Sequence, residues 1–275
     1  MLPALFSKIF DECQGKQTFI RITGTGEPFM NPYLIDALLE AKRKSLACGI
    51  ITNGSLLTPE KGKLLIKSGI DVLEISVDAM DKTTYEKIRI GLKFENILAN
   101  IDFLIKYRSK IDAPTKIMVS VVEQPDLIDV EKTKKFWEDK VDKVLIRKFL
   151  TYGKMDTSHY SSQTYLDPAN RIACPYPFER IVVLSNGKVT FCNFDVDQND
   201  GYYLGDLNKQ TIAKIWRSPK FDKWRQLVLE KKFESVPLCN KCEDWKYKSW
   251  SYNYFKAKSE AKKKAVKTKN KKRRV

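Results

Sequence analysis

The chain has 275 residues, of which 43% are hydrophobic and 31% charged, and it carries a formal net charge of +16. That length can bury a full core in one large domain or in a large and a small one. No apolar run approaches the roughly 20 residues needed to span a bilayer, and the single histidine excludes any mechanism built on two.

The first residues lack a basic segment followed by a long apolar stretch, so no signal peptide is expected. The expected compartment is the cytoplasm, where clustered cysteines more often mean metal than disulfides. Residues 256–275 hold eleven Lys or Arg and one acid, Glu260, which is +10 of the +16. This low-complexity tail is expected to be disordered or a frayed helix. With no aromatics interleaved in it, it reads as a solvated end in preference to a nucleic-acid arm.

In chain order, Leu5, Ile9, Phe10 and Cys13 recur at helical spacing ahead of Gly15. Residues 18–23 read as a buried strand ending in Gly24-Thr25-Gly26-Glu27-Pro28. Residues 33–44 form an amphipathic helix with Leu34, Ala37, Leu38 and Ala41 on one face, entered through Asn31-Pro32. A strand at 49–52 stops at Asn53-Gly54, and Thr58-Pro59-Glu60 opens a helix that closes near Gly69. Further strands are predicted at 71–77, 116–122 and 143–147, with helices at 83–89, 95–107 and 130–139. Five strands alternating with helices predict a parallel sheet covered by helices, either a barrel or a doubly wound layer, with right-handed crossovers.

Beyond Leu150 the pattern breaks. Residues 151–173 are polar and irregular and read as a linker, with His159 in a surface role. Strands at 180–184 and 188–191 flank Ser185-Asn186-Gly187, a β-hairpin signal. Helices are predicted at 212–216 and 221–229, around Ser218-Pro219. A unit this small gains from a bound metal.

Ligands of barrels and open α/β sheets bind at the carboxyl ends of the strands. That edge carries Gly24, Thr25, Gly26, Glu27, Asn53, Ser76, Asp78 and Gln124. Glycines there let the backbone approach a ligand closely, and Glu27 suits an ammonium group. A dinucleotide fingerprint fits poorly, because Phe29 stands where its third glycine belongs. An ordinary strand-to-helix turn remains the alternative, and Glu27 with Asp78 makes a carboxylate pair only by sharing the edge.

Cys174, Cys192, Cys239 and Cys242 are four soft ligands, suited to an iron–sulfur cluster or to tetrahedral zinc. Four-cysteine zinc calls for two Cys-x-x-Cys knuckles and only one is present, so the cluster is preferred. Cys13 and Cys48 lie in apolar segments and read as core residues. An aromatic run of Trp245, Tyr247, Trp250, Tyr252, Tyr254 and Phe255 follows the last cysteine and is expected to cover the cluster or pack domains.

Gly-Thr-Gly-Glu-Pro at 24–28, Thr-Asn-Gly-Ser-Leu-Leu at 52–57, and Ile-Ser-Val-Asp-Ala at 75–79 with Tyr-Glu-Lys-Ile-Arg at 85–89 resemble radical S-adenosylmethionine (SAM) enzymes. Cys-Pro-x-Pro-Phe at 174–178, Asn-Gly-x-Val-x-Phe-Cys at 186–192, Leu-Gly-Asp-Leu at 204–207, Ile-Trp-x-Ser at 215–218 and the final Cys-x-x-Cys are similar to their SPASM extension. The resemblance runs over about residues 5–250.

It implies an α/β fold: a partial (β/α) barrel of the radical SAM type lacking its first strand, plus a small Cys-rich α+β SPASM domain. The implied layout is a barrel at 1–150, a linker at 151–173, the iron–sulfur domain at 174–255 and the tail at 256–275. By resemblance, Gly24, Thr25, Gly26 and Glu27 hold the methionyl amino group of SAM. Ser76 and Arg89 meet its carboxylate or ribose, and Gln124 lies near the same pocket. The four C-terminal cysteines would hold one auxiliary 4Fe–4S cluster, with zinc as the lesser alternative.

The family's CxxxCxxC loop, which ligates the SAM-cleaving cluster, is not in this sequence, and neither Cys13 nor Cys48 can replace it. No catalytic residue is therefore assigned. The resemblance is best met by an N-terminally truncated enzyme, with a degenerate relative or a strand supplied by a partner as alternatives. Its complete form would use SAM-derived radicals to modify a peptide, protein or sugar substrate, with ferredoxin or flavodoxin as electron donor. The competing reading is a non-catalytic iron–sulfur or zinc module or partner subunit. Nucleic-acid binding through the tail stands third.

Overall fold

The computed structural model describes residues 1–24, 26–124, 126–149, 171–190, 192–193, 203–240 and 242. Thr25, residues 151–170 of the expected linker with His159, the aromatic run at 245–255 and the basic tail at 256–275 lie outside the described residues. The chain divides into two compact units, one containing Cys13–Arg147 and one in which Met1–Glu12 joins Lys148–Trp250. No helix among the described residues is long and apolar enough to cross a membrane.

After helix α1 (Pro3–Cys13), the first unit alternates β1 (Phe19–Ile22), α2 (Leu34–Arg43), β2 (Ala47–Thr52), α3 (Pro59–Ser68), β3 (Val72–Ser76), α4 (Lys82–Ile88), α5 (Phe94–Lys110), β4 (Lys116–Val122), α6 (Val130–Glu138) and β5 (Lys143–Arg147). The strands form one parallel sheet in the order β1-β2-β3-β4-β5. Every crossover steps one strand in the same direction. Right-handed crossovers then place their helices on the same face each time, and the opposite face is left as the inner wall of a partial (β/α) barrel. A doubly wound layer would reverse direction at a switch point; this order does not.

Side chains alternate across each strand. Ile75, on the helix side, lies beside Ile97 of α5 at the turn after β2. Gly54 makes that turn at φ +77, and a Cβ there would sit 2.2 Å from Ile97 Cδ1, so both conformation and space demand glycine. On the inner wall, Val72, Met118 and Leu145 pack with Phe19 and Ile51 as an apolar floor. Beside this floor sits Glu74, fully buried, which accepts from Arg147 Nη2 at 2.5 Å and Arg147 Nε at 3.2 Å.

Local signals explain the boundaries. Thr58 caps α3 by accepting from Lys61 N–H at 3.4 Å, and Gly69 closes it in the left-handed region. Strand β2 starts two residues ahead of its expected start, because Ala47 and Cys48 pair with Phe19 and Ile20.

The second unit uses shorter pieces: α7 (Tyr176–Glu179), β6 (Val182–Val183), β7 (Lys188–Thr190), β8 (Gly205–Asp206), α8 (Ile212–Trp216), α9 (Pro219–Leu229) and α10 (Pro237–Asn240). Its three strands are antiparallel, and the predicted hairpin turns at Gly187 with φ +87. Helix α1 packs here. Leu5 joins the apolar core of this unit, Lys8 Nζ donates to Leu207 O at 2.5 Å, and Glu12 Oε2 accepts the Ile212 N–H that opens α8 at 2.6 Å.

Candidate functional site

Two places gather the candidate residues, the carboxyl edge of the parallel sheet and the core of the cysteine-bearing unit.

At the edge, Gly24 and Gly26 follow β1 and are exposed. A Cβ at Gly26 would meet nothing within 4 Å, and one at Gly24 only the Gly26 backbone, at 3.8 Å and beyond. Packing within the chain therefore does not require glycine at either position. Bare backbone facing open space is what a ligand approaching the peptide groups needs.

Glu27 caps the short 3-10 turn Pro28–Met30 by accepting from Phe29 N–H at 3.2 Å. The same Oε1 accepts from the Thr52 hydroxyl at 2.6 Å, while Oε2 accepts from Asn53 N–H at 2.8 Å. The carboxylate thus sews the β1 loop to the end of β2. A carboxylate has about four lone-pair sites, so Glu27 retains room for one further donor such as an ammonium group.

Ser76 ends β3, with its Oγ 3.3 Å from Ser120 Oγ on the neighbouring strand. Gln124 turns the chain after β4, its carbonyl accepting from Leu127 N–H at 2.9 Å and Ile128 N–H at 2.8 Å. Arg89 is the C-terminal cap of α4, and its guanidinium is ion-paired with buried Asp78. Asp78 also accepts from Val122 N–H at 2.8 Å. Glu27 and Asp78, which share the edge in sequence, are each committed to different partners and do not form a carboxylate pair.

Sequence reasoning passed over two pairings, Asp78 with Arg89 and Glu74 with Arg147. The second had a signal, an acid inside the otherwise apolar strand run Val-Leu-Glu-Ile. The first had none, because it depends on a backbone turn at Asp78.

In the second unit, Cys192 and Cys239 belong to the apolar core that also holds Tyr176 and Leu5, and Cys174 packs against that core. Burial pushes the Cys239 thiol up to about 12, and charge on Cys242 and Cys174 pushes it the same way while Arg171 opposes. Cys239 therefore senses two of the other three thiols. Burial also raises Cys174, against a Tyr176 N–H directed at its sulfur and the positive charges of Arg180 and Arg171. Cys242 N–H donates to Cys239 O at 3.1 Å, the tight turn expected of Cys-x-x-Cys.

Arg171 donates from Nη2 to Cys239 O at 2.9 Å and lies over the Phe233 ring at 3.7 Å. Among the described residues, no three Cys, His, Asp or Glu side chains gather as the ligands of one metal ion. Buried thiols become thiolates only with a compensating cation, and an iron–sulfur cluster supplies that to four cysteines at once. The donor set fits such a group. Cys13 and Cys48 are buried at 7% and 0% exposure, as core residues should be.

Residues 4–136 match the radical SAM superfamily, and residues 174–243 match SPASM, an iron–sulfur cluster-binding domain. The chain is 24% identical over 280 residues to the tungsten-containing aldehyde ferredoxin oxidoreductase cofactor-modifying protein of Pyrococcus furiosus, a match covering 86% of this chain and 78% of that protein. Among solved structures, anSMEcpe with bound AdoMet is similar at a TM-score of 0.62 and 17% identity, over 95% of this chain and 87% of that one. The same protein has also been solved with AdoMet and a peptide. BtrN in complex with AdoMet and 2-DOIA is similar at a TM-score of 0.56 and 20% identity, over 88% of this chain and 80% of that one. At these identities the structural likeness shows the fold.

Proposed function

We propose that this chain, which matches the radical SAM superfamily over residues 4–136 and the SPASM domain over residues 174–243, holds one auxiliary 4Fe–4S cluster on Cys174, Cys192, Cys239 and Cys242 and binds SAM at the sheet edge. The edge site comprises Gly24, Thr25, Gly26, Glu27, Ser76, Arg89 and Gln124. The complete form would modify a carbon of a peptide, protein or sugar substrate by SAM-derived radical chemistry, with ferredoxin or flavodoxin as donor. A peptide comes first among these classes, since anSMEcpe has been solved with one.

The observation that carries the cluster reading is the shared core of the second unit: Cys192 and Cys239 are buried in it, Cys174 packs against it, and Cys242 N–H closes a turn onto Cys239 O at 3.1 Å. When bound, a cluster of this kind exchanges single electrons. The chain's own residues prepare the place for it. Apolar packing keeps water from Cys192 and Cys239, the Tyr176 N–H supports the sulfur of Cys174, and Arg171 and Arg180 lend positive charge. At the sheet edge, Glu27 would accept from the ammonium of SAM, the glycines would expose peptide groups to it, and Arg89 would meet its carboxylate.

Radical chemistry requires the CxxxCxxC loop, which these 275 residues do not contain. The activity is thus proposed for a form in which further sequence or a partner supplies that loop. A non-catalytic iron–sulfur or zinc module is the second reading.

Anaerobic reconstitution tests the cluster: about four iron and four sulfide per chain are expected, with broad visible absorbance that Cys192→Ala and Cys239→Ala abolish. Bound zinc without sulfide would replace the cluster with a zinc module. Titration with S-adenosylhomocysteine tests the edge, and no binding would favour the module.

A further inference from the structure

Strand β3 ends at Ser76, but the next three residues are fastened tightly. Val77 N–H and Asp78 N–H both donate to Ser120 O, at 3.1 and 3.4 Å, and Ala79 O accepts from the buried Trp137 Nε1–H of α6 at 2.8 Å. Between these anchors Asp78 adopts φ +66, a conformation L residues avoid and that Asp and Asn tolerate best. Costly backbone geometry of this kind persists only where the surroundings enforce it, and it concentrates at functional sites.

The turn alone does not explain the carboxylate. Asp78 Oδ1 accepts from Val122 N–H, a donor that a neutral amide oxygen would satisfy equally. Oδ2 faces the Arg89 guanidinium, and the carboxylate is 4% exposed against 26% for the arginine. Arg89 Nε is buried without a hydrogen-bond partner. Arginine has five donors in a rigid fork. Here one arm is tied to Asp78, and other donors remain to be used.

We propose that Asp78 is a positioning residue: tied to β4 and α6, it orients Arg89 so that the free part of the guanidinium receives the carboxylate of the amino-acid portion of SAM. The inference rests on reading this edge as the SAM site and adds to it the residue that sets the geometry. A mobile arginine would attract a carboxylate from many directions; a pinned one does so from one, with less ordering left to complete on binding.

The test compares two probes by calorimetry on the purified chain: S-adenosylhomocysteine, and 5′-methylthioadenosine, which lacks the amino-acid portion. Asp78→Asn keeps an acceptor for Val122 and a residue suited to the left-handed turn. It is expected to weaken S-adenosylhomocysteine about tenfold, with methylthioadenosine unchanged within about twofold; the melting temperature falls, since the ion pair is lost. Because Asp78 acts through Arg89, the double variant Asp78→Asn/Arg89→Gln should bind no more weakly than Arg89→Gln alone.

Should Asp78→Asn fold poorly, Arg89→Lys applies the same test with Asp78 intact, and it must show the same loss confined to S-adenosylhomocysteine. Unchanged S-adenosylhomocysteine affinity in Asp78→Asn, equal losses for both probes, or multiplied losses in the double variant would overturn the proposal. If the unaltered chain binds both probes equally, the edge remains an adenosyl site and only the positioning role falls. If it binds neither, both fall.

Discussion

The two units of this protein hold themselves together in different ways. The unit of Cys13–Arg147 has strands of four to seven residues and helices of seven to seventeen, and it buries Ile, Leu and Val on both faces of its sheet. The other unit has strands of two or three residues and several helices of four or five, with cysteines inside its core. The contrast shows in two buried thiols. Cys48, in the middle of a sheet, is bracketed by residues of the apolar core, whereas Cys239 shares its core with Cys192, and Cys174 packs against it. One is packing and the other a proposed cluster ligand, and burial alone does not separate them.

The sharpest way to break this comparison is to deny the second unit its proposed cluster. Chelation, or Cys192→Ser, should abolish amide protection at Val189 and Leu207 while protection at Ile117 and Val119 survives, as read by hydrogen exchange. Loss of protection in both places at once would mean that the units do not stand independently.

A second perturbation is aimed only at the sheet. Arg147→Met removes a partner from the fully buried Glu74 carboxylate, at a cost of about 3–5 kcal/mol. Denaturant melts should show it in the sheet transition, and pairing it with Glu74→Leu should recover most of it. Leu5→Ala is next, about 2–3 kcal/mol. Although Leu5 lies at the start of the chain, its loss should appear in the transition of the cysteine-bearing unit.

The smallest effect concerns Tyr85, whose phenol burial pushes above its usual 10.0, against the charge of Arg89. A raised value contributes stability that is fully present below pH 10 and lost as pH rises through the folded value. Tyr85→Phe should therefore flatten part of the alkaline fall in sheet stability.

Much of the sheet unit was readable from the residues. Strands 116–122 and 143–147 have the bounds their apolar runs predict, and α3 starts and stops at Thr58 and Gly69. The hairpin at Gly187 was marked by its Asn-Gly pair. Alternation, caps and turn residues act over a few neighbouring positions, so a linear reading captures them. The predicted strands at 180–184 and 188–191 are shorter in the structure, and the two-residue β8 carries too little pattern to be seen that way.

The candidate site divides along the same line. Residue types and spacing named the cysteines, the glycine-rich turn and the edge where they would act, since the chemistry of a thiol or a bare peptide group belongs to the residue itself. Other features needed the folded chain: helices on one face of the sheet, Glu12 capping a helix 200 residues away, Arg147 reaching Glu74 across 73, and a left-handed Asp78 gripping Arg89. Each is a meeting of groups that local preference does not bring together. Only closure of the chain around its cores sets which charges face each other and which backbone is bent to let them.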